Sequence, residues 1–158
     1  MTTEESLITD EMRAQIGKES PPTILEVDKT GIRMFARAVG YTDLIFYDEA
    51  YAKEQGYKTL PAPPGFLGTP QYRPRDASEG GPPVRSLNPR LRRVLNGGTE
   101  YEYLDTIYAG DVLTATTKIV DLQERQGSIG KMLITVRETT YKRGDQVVAK
   151  MRGTTINY

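Results

Sequence analysis

Asp43, Asp48 and Glu49 gather three carboxylates within seven positions, and the chain contains no histidine and no cysteine. A carboxylate can take a proton or activate water, so this cluster is the first place to look for acid–base or hydrolytic chemistry. Each acid also has an ordinary use, because Asp48 and Glu49 stand where a helix N-terminus attracts negative charge. A little further on, in LPAPPGF, Pro63 and Pro64 restrict the backbone and Gly65 permits close approach. That combination suits a carbonyl oxygen meeting a backbone N–H at a helix start, and it equally suits a plain turn. Guanidinium groups at Arg73, Arg75, Arg85, Arg90, Arg92 and Arg93 stand against only Asp76 and Glu79. Bidentate phosphate binding is one use for them, and pairing with acids of a partner or plain solvation is the other.

Elements must position these groups. Leu7, Ile8, Met12 and Ile16 recur at helical spacing before Gly17, which predicts an amphipathic helix over 6–16. Pro21 and Pro22 precede a short strand over 24–28. Thr30 is a candidate cap for a helix whose apolar face carries Ile32, Phe35, Ala36 and Val39 and which stops at Gly40. A shorter helix follows Asp48 and ends at Gly56. The stretch 70–93, rich in proline, glycine and arginine, reads as a long loop or insertion. Beyond it, TEYEYLD, DVLTATTKIVDLQE, KMLITVRETTYK and QVVAKMRGTTINY read as successive strands, with turns at 127–130 and 143–145. Asn96-Gly97-Gly98 stands just before the first of them, where glycines allow a ligand or a partner backbone to approach or simply make a turn. The fold class expected is α+β, in one domain over 1–158.

Composition narrows the partners. Lysine plus arginine and aspartate plus glutamate number 21 each, so no global field draws the chain to nucleic acid or an anionic membrane. The acidic N-terminus is unlike a secretory signal, and no apolar run approaches the length of a bilayer span. Absence of cysteine suits a reducing, cytoplasmic setting. Without imidazole, histidine-dependent mechanisms cannot operate within this chain alone, and no acidic cluster has metal-site spacing, so no metal is expected.

The motifs IGKES, FARAVG, FYDEAYAKEQGY, LPAPPGF, LNGGTEYEYL, YAGDVLTATTKIVD and GKMLITVRETTYK together resemble the MaoC-like dehydratase and hydratase family, in its N-terminal-type, fatty-acid-synthase-like branch. The resemblance implies a hot-dog fold, with a curved antiparallel sheet wrapped around a central helix. Active members resembling (R)-specific enoyl-CoA hydratases carry Gly-Asp-x-Asn-Pro-x-His, whose aspartate and histidine work on a water molecule. Matching the motif glycine to Gly40 puts Tyr41 at the aspartate and Phe46 at the histidine, with Asp43 at the asparagine. Neither replacement supplies a proton acceptor near neutral pH.

The resemblance therefore implies a non-catalytic, substrate-binding subunit of a heteromeric enoyl-CoA hydratase or 3-hydroxyacyl thioester dehydratase. A catalytic MaoC-like sister subunit would supply Asp and His. Coenzyme A would enter only as part of the substrate, with no separate cofactor. The pocket residues implied are Tyr41, Asp43, Phe46, Tyr47, Pro64, Gly65, Phe66, Gly97 and Gly98, with the six arginines as candidates for coenzyme A phosphates. Tyr41 and Phe46 either line an acyl pocket or fill core. Two rivals stand beside this reading: an acyl-CoA thioesterase using Asp43, Asp48 or Glu49, and an acyl-CoA-binding or assembly module.

Overall fold

The computed structural model describes residues 6–69 and 87–158. Its frame is a five-stranded antiparallel sheet built from β1 (Thr23–Glu26), β2 (Val94–Tyr103), β3 (Val112–Gly127), β4 (Gly130–Arg143) and β5 (Gln146–Asn157). Their spatial order is β1-β3-β4-β5-β2. The last three strands form the expected meander. Gly130 and Gly144 take φ of 108° and 57° in the two turns, a region that an L side chain rarely enters. β2 then lies outside β5 as one edge and β1 outside β3 as the other.

The expectation of a curved sheet wrapped around a central helix is overturned. The sheet is open and not strongly curled, since its edges β1 and β2 do not pair with each other. Among the described residues the α-helices are few: α1 (Asp10–Arg13), α2 (Lys29–Val39) and α3 (Glu49–Glu54). A helix encircled by a sheet would be covered on several faces, whereas α2 buries only Ile32 and Ala36 and leaves Met34 and Val39 exposed. Val39 thus departs from the expected apolar face.

α2 begins at Asp28, whose carboxylate accepts from the Gly31 N–H, so the cap is Asp28 and not Thr30. It ends where Gly40 takes a left-handed φ of 83°. α3 is capped in the same way by Asp48. The N-terminal helix is far shorter than the spacing predicts. It stops at Ala14, and Ile16 bridges Ile119 of β3, where the Gly17 N–H donates to the Ile119 carbonyl at 2.8 Å. Ile16 thus serves the sheet edge rather than a helix face.

The main core packs Leu25, Ile32, Leu60, Phe66, Leu113 and Val148 together; a smaller cluster joins Ile8 and Met12 to Leu122 and Leu133. Among the described residues no helix is long and apolar enough to cross a membrane.

Candidate active-site cleft

The left-handed turn at Gly40 sends Tyr41 back over the end of α2, where its N–H donates to the Ala36 carbonyl. Asp43 then caps a 3₁₀ turn over Leu44–Phe46, accepting from the Ile45 N–H at 3.1 Å. This tight turn folds Phe46 against Tyr41, with ring centroids 5.6 Å apart and the planes tilted by 37°. Tyr47 completes the loop by donating its hydroxyl to the Tyr41 carbonyl. The Tyr41 hydroxyl in turn donates to the Pro64 carbonyl at 3.4 Å. Pro64 is thereby brought to Tyr41, Phe46 and Tyr47 from seventeen or more positions further along the chain.

On the far side, Leu60 to Ala62 is zipped to 107–109. The Ala62 N–H donates to the Ile107 carbonyl at 2.7 Å and the Ala109 N–H to the Leu60 carbonyl at 2.9 Å. Between these segments opens a cleft of about 590 Å³ whose apolar walls include Ile45, Phe46, Pro64, Leu104 and Ile107, with Tyr57 and Tyr103 adding phenol rings. An apolar cavity with a few convergent polar groups is the usual shape of a small-molecule site.

Tyr103, at the end of β2, supplies one of those groups. Its hydroxyl oxygen accepts from the Gly65 N–H at 2.9 Å, and its ring stacks on Tyr101, 6.0 Å between centroids. Burial pushes the Tyr103 phenol pKa above its ordinary value, so the group keeps its proton at neutral pH. Asp105 supplies another. Its carboxyl is held below the usual range first by the Thr106 N–H and then by the Arg143 guanidinium. Arg143 also forks onto Asp111, with Nε to Oδ1 at 3.0 Å and Nη2 to Oδ2 at 2.7 Å, and reaches the Thr106 carbonyl. One guanidinium therefore clips the loop 105–111 that forms the cleft's wall.

The remaining candidate residues fall elsewhere. Phe66 is buried in the core, edge-on to Phe35. Gly97 and Gly98 lie within β2 rather than before it, at a bulge facing Thr154 of β5, away from the cleft lining. Arg92 is exposed, and Arg93 lies over the Tyr158 ring at 5.8 Å while exchanging backbone hydrogen bonds with Tyr158. The Arg90 N–H donates to Asn88. Arg73, Arg75 and Arg85 lie outside the described residues. All three carboxylates considered for hydrolysis have structural partners. Asp43 and Asp48 are caps, while Glu49 pairs with Lys29 and Lys53 and accepts from the Thr59 hydroxyl. Hydrogen bonds from Lys29 and then Lys53 lower the Glu49 pKa to about 2.

Sequence reasoning missed Tyr103 and Arg143. Tyr103 sits in an alternating, aromatic-rich run that is fully explained as a strand, and Arg143 sits beside a Gly-Asp turn. Only the pairing of β2 with β5 and of β3 with β4 brings Tyr103 to the cleft and Arg143 to the loop that forms its wall.

Residues 14–151 match the family model described as the FAS1-like dehydratase domain region. The "UPF0336 protein" of Thermobifida fusca is 32% identical over 134 residues, 82% of each chain. That of Saccharopolyspora erythraea is 34% identical over 134 residues, covering 84% of this chain and 82% of the relative. Among solved structures, a chain of the ChsH1-ChsH2 complex of Mycobacterium tuberculosis superposes with a TM-score of 0.68 at 20% identity, over 89% of this chain and 88% of that one. A chain of the 3R-hydroxyacyl-ACP dehydratase complex HadBC from the same organism gives 0.69 at 22% identity, over 90% and 96%. At such identities these two likenesses speak for the fold.

Proposed function

Because this chain belongs to the FAS1-like dehydratase-domain family, within the MaoC-like hot-dog dehydratases and hydratases, we propose that it is the substrate-binding subunit of a heteromeric hydro-lyase acting on acyl thioesters. The observation that carries this reading is the packing of Tyr41 on Phe46, a residue of the cleft's wall. The positions that the resemblance assigns to the proton-transfer residues hold two packed aromatic rings, in a sequence with no histidine. Adding water across an α,β-double bond needs a base to take a proton from water and an acid to protonate the α-carbon. Phe46 can do neither, and the Tyr41 hydroxyl is engaged with the Pro64 carbonyl. What this chain offers is wall: apolar area at Ile45, Phe46, Pro64 and Ile107 that excludes water from an acyl chain while a sister subunit contributes Asp and His.

Both Mycobacterium tuberculosis structures described above are complexes of two named components, which supports a heteromeric assembly. The same reading takes residues 1–158 as one such domain and places it in the cytoplasm; most of the stretch 70–93, expected as a loop or insertion, lies outside the described residues. It keeps Tyr41, Asp43, Phe46, Tyr47, Pro64 and Gly65 as the pocket's border. The caps and ion pairs of Asp43, Asp48 and Glu49 give the thioesterase reading no support.

The test is hydration of crotonyl-CoA by the purified chain, with and without a co-expressed sister protein carrying the intact motif. Activity should require the pair. Robust turnover by the chain alone would overturn the proposal.

A further inference from the structure

A phenol oxygen has two lone pairs and one proton. At Tyr103 one lone pair is taken by the Gly65 N–H at 2.9 Å, and the O–H has no acceptor among the described residues. The neighbouring hydroxyls differ. Tyr41 donates to the Pro64 carbonyl at 3.4 Å, and Tyr141 donates to the Leu67 carbonyl at 3.4 Å. Tyr103 alone of these three lines the cleft, beside Phe46, Pro64 and Ile107. The donor that the PAPPGF turn would offer a carbonyl oxygen, the Gly65 N–H, is therefore relayed one bond outward through a phenol.

We propose that the Tyr103 hydroxyl is the hydrogen-bond donor to the carbonyl oxygen of a neutral thioester seated in this cleft, with the Gly65 N–H polarising it from behind. The inference rests on the reading of the cleft as an acyl-thioester site. Accepting one hydrogen bond strengthens the next donated by the same oxygen, so the relay makes a better donor than an isolated phenol. Rotation of the ring is restrained by its stack on Tyr101 and by Gly65, which holds the donor in place before the ligand arrives. Charge selects the ligand's form. Asp105 lines the same cleft as a carboxylate, and together with Asp111 it outnumbers the single Arg143 that pairs with both. That excess repels a free carboxylic acid in its ionised form and tolerates the thioester.

The experiment uses the full-length chain with its co-purified sister subunit and, as probe, S-butyryl-N-acetylcysteamine carrying a ¹³C-labelled carbonyl, a saturated thioester that the pair cannot hydrate. This probe lacks the phosphates of coenzyme A. Difference infrared spectra should show the carbonyl band shifting to lower frequency on binding, and Tyr103→Phe should return it toward its free position while raising Kd about tenfold. Butyrate should bind more weakly than the thioester. If the probe binds and Tyr103→Phe leaves both band and Kd unchanged, the donor is another group and this inference falls while the cleft's assignment stands. If the wild-type complex hydrates crotonyl-CoA but the bound probe shows no carbonyl shift, the inference also falls, without recourse to the variant. If the wild-type complex neither binds the probe nor hydrates crotonyl-CoA, the reading of the cleft falls with it.

Discussion

Replacing Arg143 with methionine keeps the apolar stem and removes the guanidinium that holds the cleft's wall. The Asp111 fork carries most of the expected cost. Asp111 is 15% exposed and Arg143 28%, so their two charge-assisted bonds at 3.0 and 2.7 Å are partly sheltered from water. Asp105 is 41% exposed and adds little, and the Thr106 carbonyl loses one donor. A charge-assisted bond contributes roughly 1.5–3 kcal/mol in partly buried settings, and discounting for the exposure of both partners leaves about 2 kcal/mol in all. Urea unfolding reads this directly. With a slope of roughly 2 kcal/mol/M for a domain of this size, the midpoint should fall by about 1 M. Arg143→Lys should recover less than half, because a point charge cannot engage both Asp111 oxygens and the Thr106 carbonyl together. A midpoint within about 0.2 M of wild type for the methionine variant would refute the claim that Arg143 secures loop 105–111.

Phe46→Ala removes an apolar wall of the cleft and should weaken binding of butyryl-CoA, which has no double bond to hydrate, to the complex about tenfold, measured by calorimetry, and because Phe46 also packs against the core the thermal midpoint should fall as well. Gly68→Ala would bring a Cβ within 2.5 Å of the Tyr101 hydroxyl, a ring held by its stack on Tyr103; it should cost about 1–3 kcal/mol in urea unfolding, and Tyr101→Phe in the same chain should restore part of that. Glu49, its pKa depressed from 4.5 to about 2, contributes stability that is fully present above pH 4.5 and lost as pH falls toward 2. Glu49→Gln should therefore flatten the acid limb of the unfolding midpoint between those values, and an unchanged limb would show that the Lys29 and Lys53 contacts do not persist in solution.

Local chemistry was legible where a residue's job is done by its neighbours in sequence. Gly40 and Gly56 read as helix stops because only a left-handed backbone ends those segments as observed, and the turns at Gly130 and Gly144 fixed the meander of β3, β4 and β5. Pairing order was not legible. Nothing in the periodicity of β2 says that it lies beside β5, or that Gly97 becomes a bulge within it. The N-terminal helix was read too long because Ile16 fits a helical spacing while its contact is with Ile119, more than a hundred residues away. The wrapped sheet was expected from resemblance, and the edges left open by β1 and β2 correct it. In the cleft, Phe46 and Pro64 stand in motifs that the sequence singles out. Tyr103 and Arg143 escaped because a tyrosine in a strand and an arginine at a turn are already accounted for by local structure.

The gathering of phenol rings at the cleft has an optical consequence. The chain contains ten tyrosines and no tryptophan, so its near-ultraviolet emission comes almost wholly from tyrosine. Tyr57 and Tyr103 line the cleft, Tyr101 stacks behind Tyr103, and Tyr41 packs on Phe46 at the border. A molecule entering that space changes the polarity and contacts of several emitters at once, with no brighter indole to mask them. The unlabelled protein thus carries its own reporter of occupancy.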